Sequence, residues 1–131
     1  MEKLKRIRIG NKFYPFKIDL NVLEAMQEEF GTVNEFERQL RGMHYQKDED
    51  GHYIKNEDGN LMMYITEPSI KAIKAVLPAA IKEGLAIEAE WENREMQPVD
   101  EEQIIRDCTI SFTVLGRMIL EEFKRCFETK K

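Results

Sequence analysis

The spacing of apolar residues changes along this chain, and that change restricts its architecture more than any other feature. From Leu4 to Ile18, apolar and basic residues alternate at close to period two on either side of Gly10-Asn11. Alternation flanking a short Gly-containing turn is the pattern of a β-hairpin. Pro15 has no N–H to give to a ladder, so the second strand is expected to be an edge or to bulge there. From Asp19 onward the spacing becomes helical. Asp19 is placed to cap a helix over residues 20–30, with Leu20, Leu23, Met26 (or Gln27) and Phe30 as its apolar stripe and Gly31 as its end. Thr32 and Glu35 have capping-box spacing for a second, short helix to Arg41, with Val33, Phe36 and Leu40 inward and Gly42 at its C-terminus.

Residues 43–65 differ in character. Lys47-Asp48-Glu49-Asp50-Gly51-His52 is echoed eight residues later by Lys55-Asn56-Glu57-Asp58-Gly59-Asn60. Each Asp-Gly favours a tight turn, and Tyr45, Tyr53, Ile54, Leu61, Met62, Met63, Tyr64 and Ile65 flank the turns. A three-stranded meander or a mobile loop accommodates this segment, and two copies are too few for a repeat architecture. A long helix follows. Pro68 suits its first turn, with Thr66 or Glu67 before it. Ile70, Ile73, Val76 (or Leu77) and Ala80 (or Ile81) carry the helix to Glu83, with Gly84 as its expected end and a kink expected at Pro78. Leu85–Trp91 alternates like a strand but can equally extend the helix, and residues 93–98 read as a linker. Asp100 and Gln103 resemble another capping box. Beyond it, Phe112, Leu115, Ile119, Phe123 and Phe127, with Val114 and Met118 beside them, form a wide apolar stripe that serves either as core or as a partner-binding face. Gly116 within it signals close packing or a small bend. The expected fold is α+β: a mostly helical single domain over residues 1–131, with an N-terminal hairpin, an acidic turn-rich insert at 43–65 and a C-terminal helical segment at 99–131.

Composition narrows the function classes. With 131 residues, 42% hydrophobic and 34% charged, the chain has enough apolar material for one modest core. Its apolar runs are far shorter than a membrane span, and Met1–Arg6 lacks the apolar stretch of a secretory signal, so cytosol is the expected compartment. The net charge of −5 is uneven. Residues 1–20 carry Lys3, Lys5, Arg6, Arg8, Lys12 and Lys17 against Glu2 and Asp19, a net +4, whereas residues 83–102 carry eight acids against Arg94, a net −7. Basic residues at alternate strand positions read as a solvated strand face, and the acidic remainder repels phosphate, so a nucleic-acid partner is not expected. Cys108 and Cys126 read as reduced thiols.

Catalytic signatures are missing. The sequence contains no phosphate-binding P-loop, no dinucleotide fingerprint and no nucleophile elbow. Ser69 and Ser111 have no neighbouring His, and a Cys–His pair would have to use His44 or His52 in the insert. The insert also invites a calcium-loop reading, with Asp48, Asp50 and Glu57 as ligands and Gly51 at the turn. The loop's first position would then be Gln46, and the twelfth position of the echo copy would be Ile65. Tight turns bearing solvated acids explain both copies better. No enzyme activity, cofactor or metal is expected.

The order of these segments resembles the tail assembly chaperones of long-tailed phages and prophages of Gram-positive bacteria. The resemblance is carried by Ile7–Pro15, by Leu20–Glu24 through Glu28–Gly31, by Asp50-Gly51 through Glu67–Ile73, and by Ile81–Gly84 with the acids after it. The last thirty residues depart from that pattern, since Cys108–Phe127 is more apolar and aromatic. The resemblance implies a non-enzymatic protein of the host bacterial cytoplasm, absent from the mature virion. It would bind the phage tape measure protein and help the tail tube protein polymerise around it. Such a role needs apolar patches rimmed by charge, and flexible Met side chains suit it. Met62 and Met63 in the insert, with Met118, Phe123 and Phe127 near the C-terminus, are the candidate partner-binding residues. No membrane partner is expected, and a homo-oligomer is compatible with the pattern. Two rivals stand beside this reading: a structural tail or connector component retained in the virion, and a host-directed regulatory binding module.

Overall fold

The computed structural model describes residues 3–127. Strands β1 (Lys5–Ile9) and β2 (Lys12–Phe16) form the expected antiparallel hairpin, with Ile9 opposite Lys12 and Lys5 opposite Phe16. Gly10 turns it at a φ of 61°. Ile7 and Ile9 of β1 point into the core, and the basic residues between them point out. Pro15 lies opposite Arg6. Counting from the turn-closing Ile9–Lys12 pair, Arg6–Pro15 falls at a position whose N–H would face away from the ladder, so proline costs no strand pairing and no bulge is needed.

Helices α1 (Leu20–Phe30) and α2 (Val33–Arg41) form as the caps predict. The Asp19 carboxylate accepts from the Asn21 and Val22 amides, and Thr32 Oγ1 accepts from the Glu35 amide. The Glu35 side chain does not reach back to its cap; it turns to Arg38 and Gln39. The inward face of α1 is Val22, Leu23 and Met26, whereas Leu20 is 77% exposed. Leu23, Met26 and half-buried Phe30 of the predicted stripe face the core, whereas Leu20, in the first turn, faces outward and Val22 enters the core in its stead. Phe36 and Leu40 of α2 are fully buried as expected.

Helix α3 (Ile70–Trp91) is the axis of the fold and packs on β2, α1, α2, α4 and α5. It departs from the sequence expectation at its cap and at Gly84, and of the two readings open for Leu85–Trp91 it takes the helical one. Its cap is Ser69, whose hydroxyl accepts from the Ala72 amide, with Pro68 just outside. It runs through Leu85–Trp91 as helix. It also passes through Gly84 without ending, because that glycine is a contact point rather than a stop. A Cβ at Gly84 would lie 2.6 Å from the Pro15 carbonyl carbon and oxygen, so the β2 backbone rests directly on the helix. The Lys17 amide donates to the Ala80 carbonyl one turn earlier, at 3.0 Å. Being covered on several sides, α3 buries Ala72, Ile73, Val76, Leu77, Pro78, Ala80 and Ile81, while Ile70 at its start is exposed.

Helices α4 (Glu101–Asp107) and α5 (Phe112–Arg125) close the structure. Asp100 caps α4 as predicted. Ile104, Leu115, Ile119 and Phe123 enter the same core as the hairpin and α1–α3. Gly116 packs against the Pro68 ring, where a Cβ would come within 2.7 Å of Cγ. The whole is an α+β fold of mainly helical content. Among the described residues, no helix is long and apolar enough to cross a membrane.

Candidate functional site

Residues 43–65 rise from this base as an arm whose residues all lie outside the core. Its stem is a two-stranded ladder of β3 (Met43–Tyr45) and β4 (Met63–Ile65), with Met43 opposite Ile65 and Tyr45 opposite Met63. The segment is not a meander. Beyond the stem the chain divides into two further arms, closed by Lys47 opposite Tyr53 and by Lys55 opposite Leu61. The three arms meet at a ring of backbone hydrogen bonds. Gln46 N–H donates to Met62 O (2.9 Å), Met62 N–H to Ile54 O (2.8 Å), and Ile54 N–H to Gln46 O (3.0 Å). Those three residues are eight apart, so the echo in the sequence is the repeat of this junction.

The turns are built by side chains. Asp48 Oδ1 accepts from the Asp50 and His52 amides, and Asn56 Oδ1 accepts in the same way from Asp58 and Asn60. Asp48, Asp50 and His52 do converge, with their ligand atoms within 4.8 Å, but all three are exposed. The echo copy makes the same turn with Asn56 and Asn60 in place of Asp48 and His52. The turn therefore depends on the side-chain oxygen and not on charge, as in other Asx turns.

The arm is fastened to α2. Gly42 adopts the left-handed conformation (φ 68°), and a Cβ there would stand 2.4 Å from the Thr66 carbonyl oxygen. The returning chain donates from Thr66 N–H to Gly42 O and from Ser69 N–H to Gln39 O, which satisfies carbonyls at the end of α2. Arg38 joins the two elements, donating to the Met43 carbonyl and to both Glu35 oxygens. Hydrogen bonding from Arg38, and then from Gln39, holds the Glu35 carboxyl down to about 2. The same contact raises the Arg38 guanidinium further above its ordinary value.

What the arm offers to solvent is apolar and aromatic. Ile65 is 75% exposed, and Met62, Met63, Tyr64, Tyr53 and Tyr45 are all open. His44 stacks on Tyr64 at 5.1 Å between ring centres, and Tyr45 meets Tyr53 edge-on at 5.7 Å. A shallow groove of about 480 Å³ runs between the arm and α2, lined by Glu35, Arg38, His44, Tyr45, Lys47, Tyr53 and Tyr64.

The structure separates the five candidate partner-binding residues. Met62 and Met63 belong to this exposed surface. Phe123 does not: it is 4% exposed and packs edge-on against Phe36 at 6.0 Å. Met118 is half-buried against the same core. Phe127 is exposed but lies edge-on to Phe123 at 5.4 Å. The C-terminal stripe is thus mainly core, and the open surface is the insert. The tyrosines and Ile65 were visible in the sequence as flanks of the turns. Their joint exposure comes from the three-way junction, which leaves no room for a core of its own.

Sequence reasoning also missed Glu122, which lies within the apolar stripe of α5 and is 1% exposed. Its carboxylate accepts from Arg125 Nη1 (2.7 Å) and the Ile18 amide (3.3 Å), with Lys17 Nζ at 3.9 Å. This clasp holds α5 to the segment joining the hairpin and α1, a structural role. No known protein family, curated protein or solved structure matches the chain.

Proposed function

We propose that this chain acts by binding another protein through its projecting arm, and that it is a tail assembly chaperone of a long-tailed phage or prophage. The observation that carries the reading is the exposed run Leu61–Ile65, which a folded helical base holds away from its own core. Burying one such side chain against a partner is worth about 1.5–3 kcal/mol. The acids of the turns rim that surface with charge, and the acidic stretch 83–102 adds to the negative charge of the molecule, which favours solubility between encounters. The order of segments along the sequence supports the choice of the tape measure protein as the client and of the tail tube protein as the recipient. On this reading the chaperone works in the host bacterial cytoplasm and is not carried into the virion.

The test is co-expression with the tape measure protein encoded beside it, followed by size-exclusion chromatography of the soluble fraction. A soluble complex that forms with this chain, and is lost when Met63 and Ile65 are changed to Ser, is the expected result. A tape measure protein that stays insoluble overturns the reading. Detection of the chain in purified virions would favour a structural tail component instead.

A further inference from the structure

The two hairpins of this molecule treat their edges differently. The exposed basic residues Lys5, Arg6, Arg8 and Lys12 put charge on the N-terminal hairpin, and Pro15 and the α3 backbone block the outer side of β2. These are the usual protections against pairing with another chain. β4 has none of them. Its residues Met63, Tyr64 and Ile65 are uncharged and exposed, and among the described residues β3 is the only strand beside it.

The register shows which groups are open. Thr66 N–H bonds to Gly42 O and Gln46 N–H bonds to Met62 O, so the hydrogen-bonded pairs of the ladder are 42–66, 44–64 and 46–62. Met63 and Ile65 fall between them and turn their N–H and C=O groups outward. The ladder partner of Met43 confirms the phase on the other edge, where the Met43 carbonyl faces out and accepts from Arg38. No hydrogen bond reaches the backbone of Met63 or Ile65 from any other described residue.

Charge selects the occupant. Glu57 and Asp58 crown the arm that runs into β4, and exposed Glu67 follows it. With Lys55 on the same arm the flanks of β4 are still net acidic, so a second copy of this chain pairing antiparallel here would bring like net charge together at both ends. We propose that the open edge of β4 is a strand-addition site for an extended partner segment, apolar at its centre and carrying Lys or Arg on both sides. Its backbone pairs with Met63 and Ile65, and its side chains lie beside Met63, Tyr64 and Ile65. This rests on the arm being the docking surface and specifies how that surface is used.

The test titrates the ¹⁵N-labelled full chain with a blocked peptide, Lys-Arg-Val-Thr-Val-Thr-Val-Lys-Arg, and with the same core flanked by Glu and Asp. The Met63 and Ile65 amides should shift and exchange more slowly, and the basic peptide should bind about tenfold more tightly at low salt. Ile65→Pro removes an outward N–H without touching the β3–β4 ladder. It should abolish binding while leaving the amide spectrum of the helices unchanged. Unperturbed Met63 and Ile65 amides, or undiminished binding by Ile65→Pro, would overturn the proposal. So would sedimentation showing a dimer that protects the same amides. The tape measure protein takes no part in this titration, so the two ideas fail separately. A tape measure complex that survives Ile65→Pro would sink strand addition alone.

Discussion

Gly84→Ala is the sharpest test of how this fold is assembled, because local and tertiary reasoning predict opposite signs. Gly84 is inside α3, and there alanine favours helix over glycine by about 1 kcal/mol. The structure sets a larger cost against that gain. The new Cβ would stand 2.6 Å from the Pro15 carbonyl and 2.9 Å from the Phe16 nitrogen. Carbon contacts are comfortable only at about 3.5–4.0 Å, so the hairpin would have to retreat by about 1 Å. Both obstacles are backbone, and no rotamer change relieves them. Overpacking of this kind costs about 1–3 kcal/mol. A retreating β2 also stretches the Lys17–Ala80 hydrogen bond, now 3.0 Å, which is worth about 1 kcal/mol. The net expectation is destabilisation by about 1–3 kcal/mol. In urea unfolding, that should lower the midpoint by about 1 M with the slope unchanged. Ala86→Gly on the same helix supplies the control, since there helix propensity and a half-buried methyl are lost with no overpacking involved. A Gly84→Ala chain as stable as the parent, or more so, would refute the close approach of hairpin and helix.

Three further outcomes follow from particular contacts. Glu122→Ala should cost about 2–4 kcal/mol in urea unfolding, because it strands the Ile18 amide and leaves Arg125 and Lys17 without their shared carboxylate; Glu122→Gln should recover part of that. Gly42→Ala should loosen the arm while sparing the core, since the residue needs a φ of 68° and has no space for a Cβ. Hydrogen exchange should accelerate across residues 43–65, and unchanged protection there would contradict the anchoring described. The Glu35–Arg38 contact gives a pH signature. The folded carboxyl titrates at about 2 against an ordinary 4.5, so its contribution is complete above about pH 4.5 and disappears as pH falls through about 2. The side chain is 38% exposed, so screening limits the effect to about 0.5–1 kcal/mol. Glu35→Gln should abolish that part of the acid sensitivity of the arm.

Much of the local structure was legible in the residues. Asp19, Thr32 and Asp100 cap the helices they were predicted to cap, and Gly42 ends α2, because capping is an interaction between neighbours in sequence. The hairpin register followed from alternation around Gly10-Asn11 for the same reason. What the sequence could not reveal depends on approach between distant segments. Gly84 looks like a helix stop until β2 is seen lying on it, and Glu122 looks like a surface acid until the Ile18 amide and Arg125 close over it. The eight-residue echo was plain as a pattern. Only the cyclic hydrogen bonding of Gln46, Ile54 and Met62 turns it into a three-armed projection that keeps Met63 and Ile65 in solvent. The sequence by itself determined the hairpin and helices α1, α2 and α4 with their caps, since those energies are settled within a few residues. Tertiary structure decided which apolar residues are core and which are open, because burial depends on what other segments of the chain bring against them.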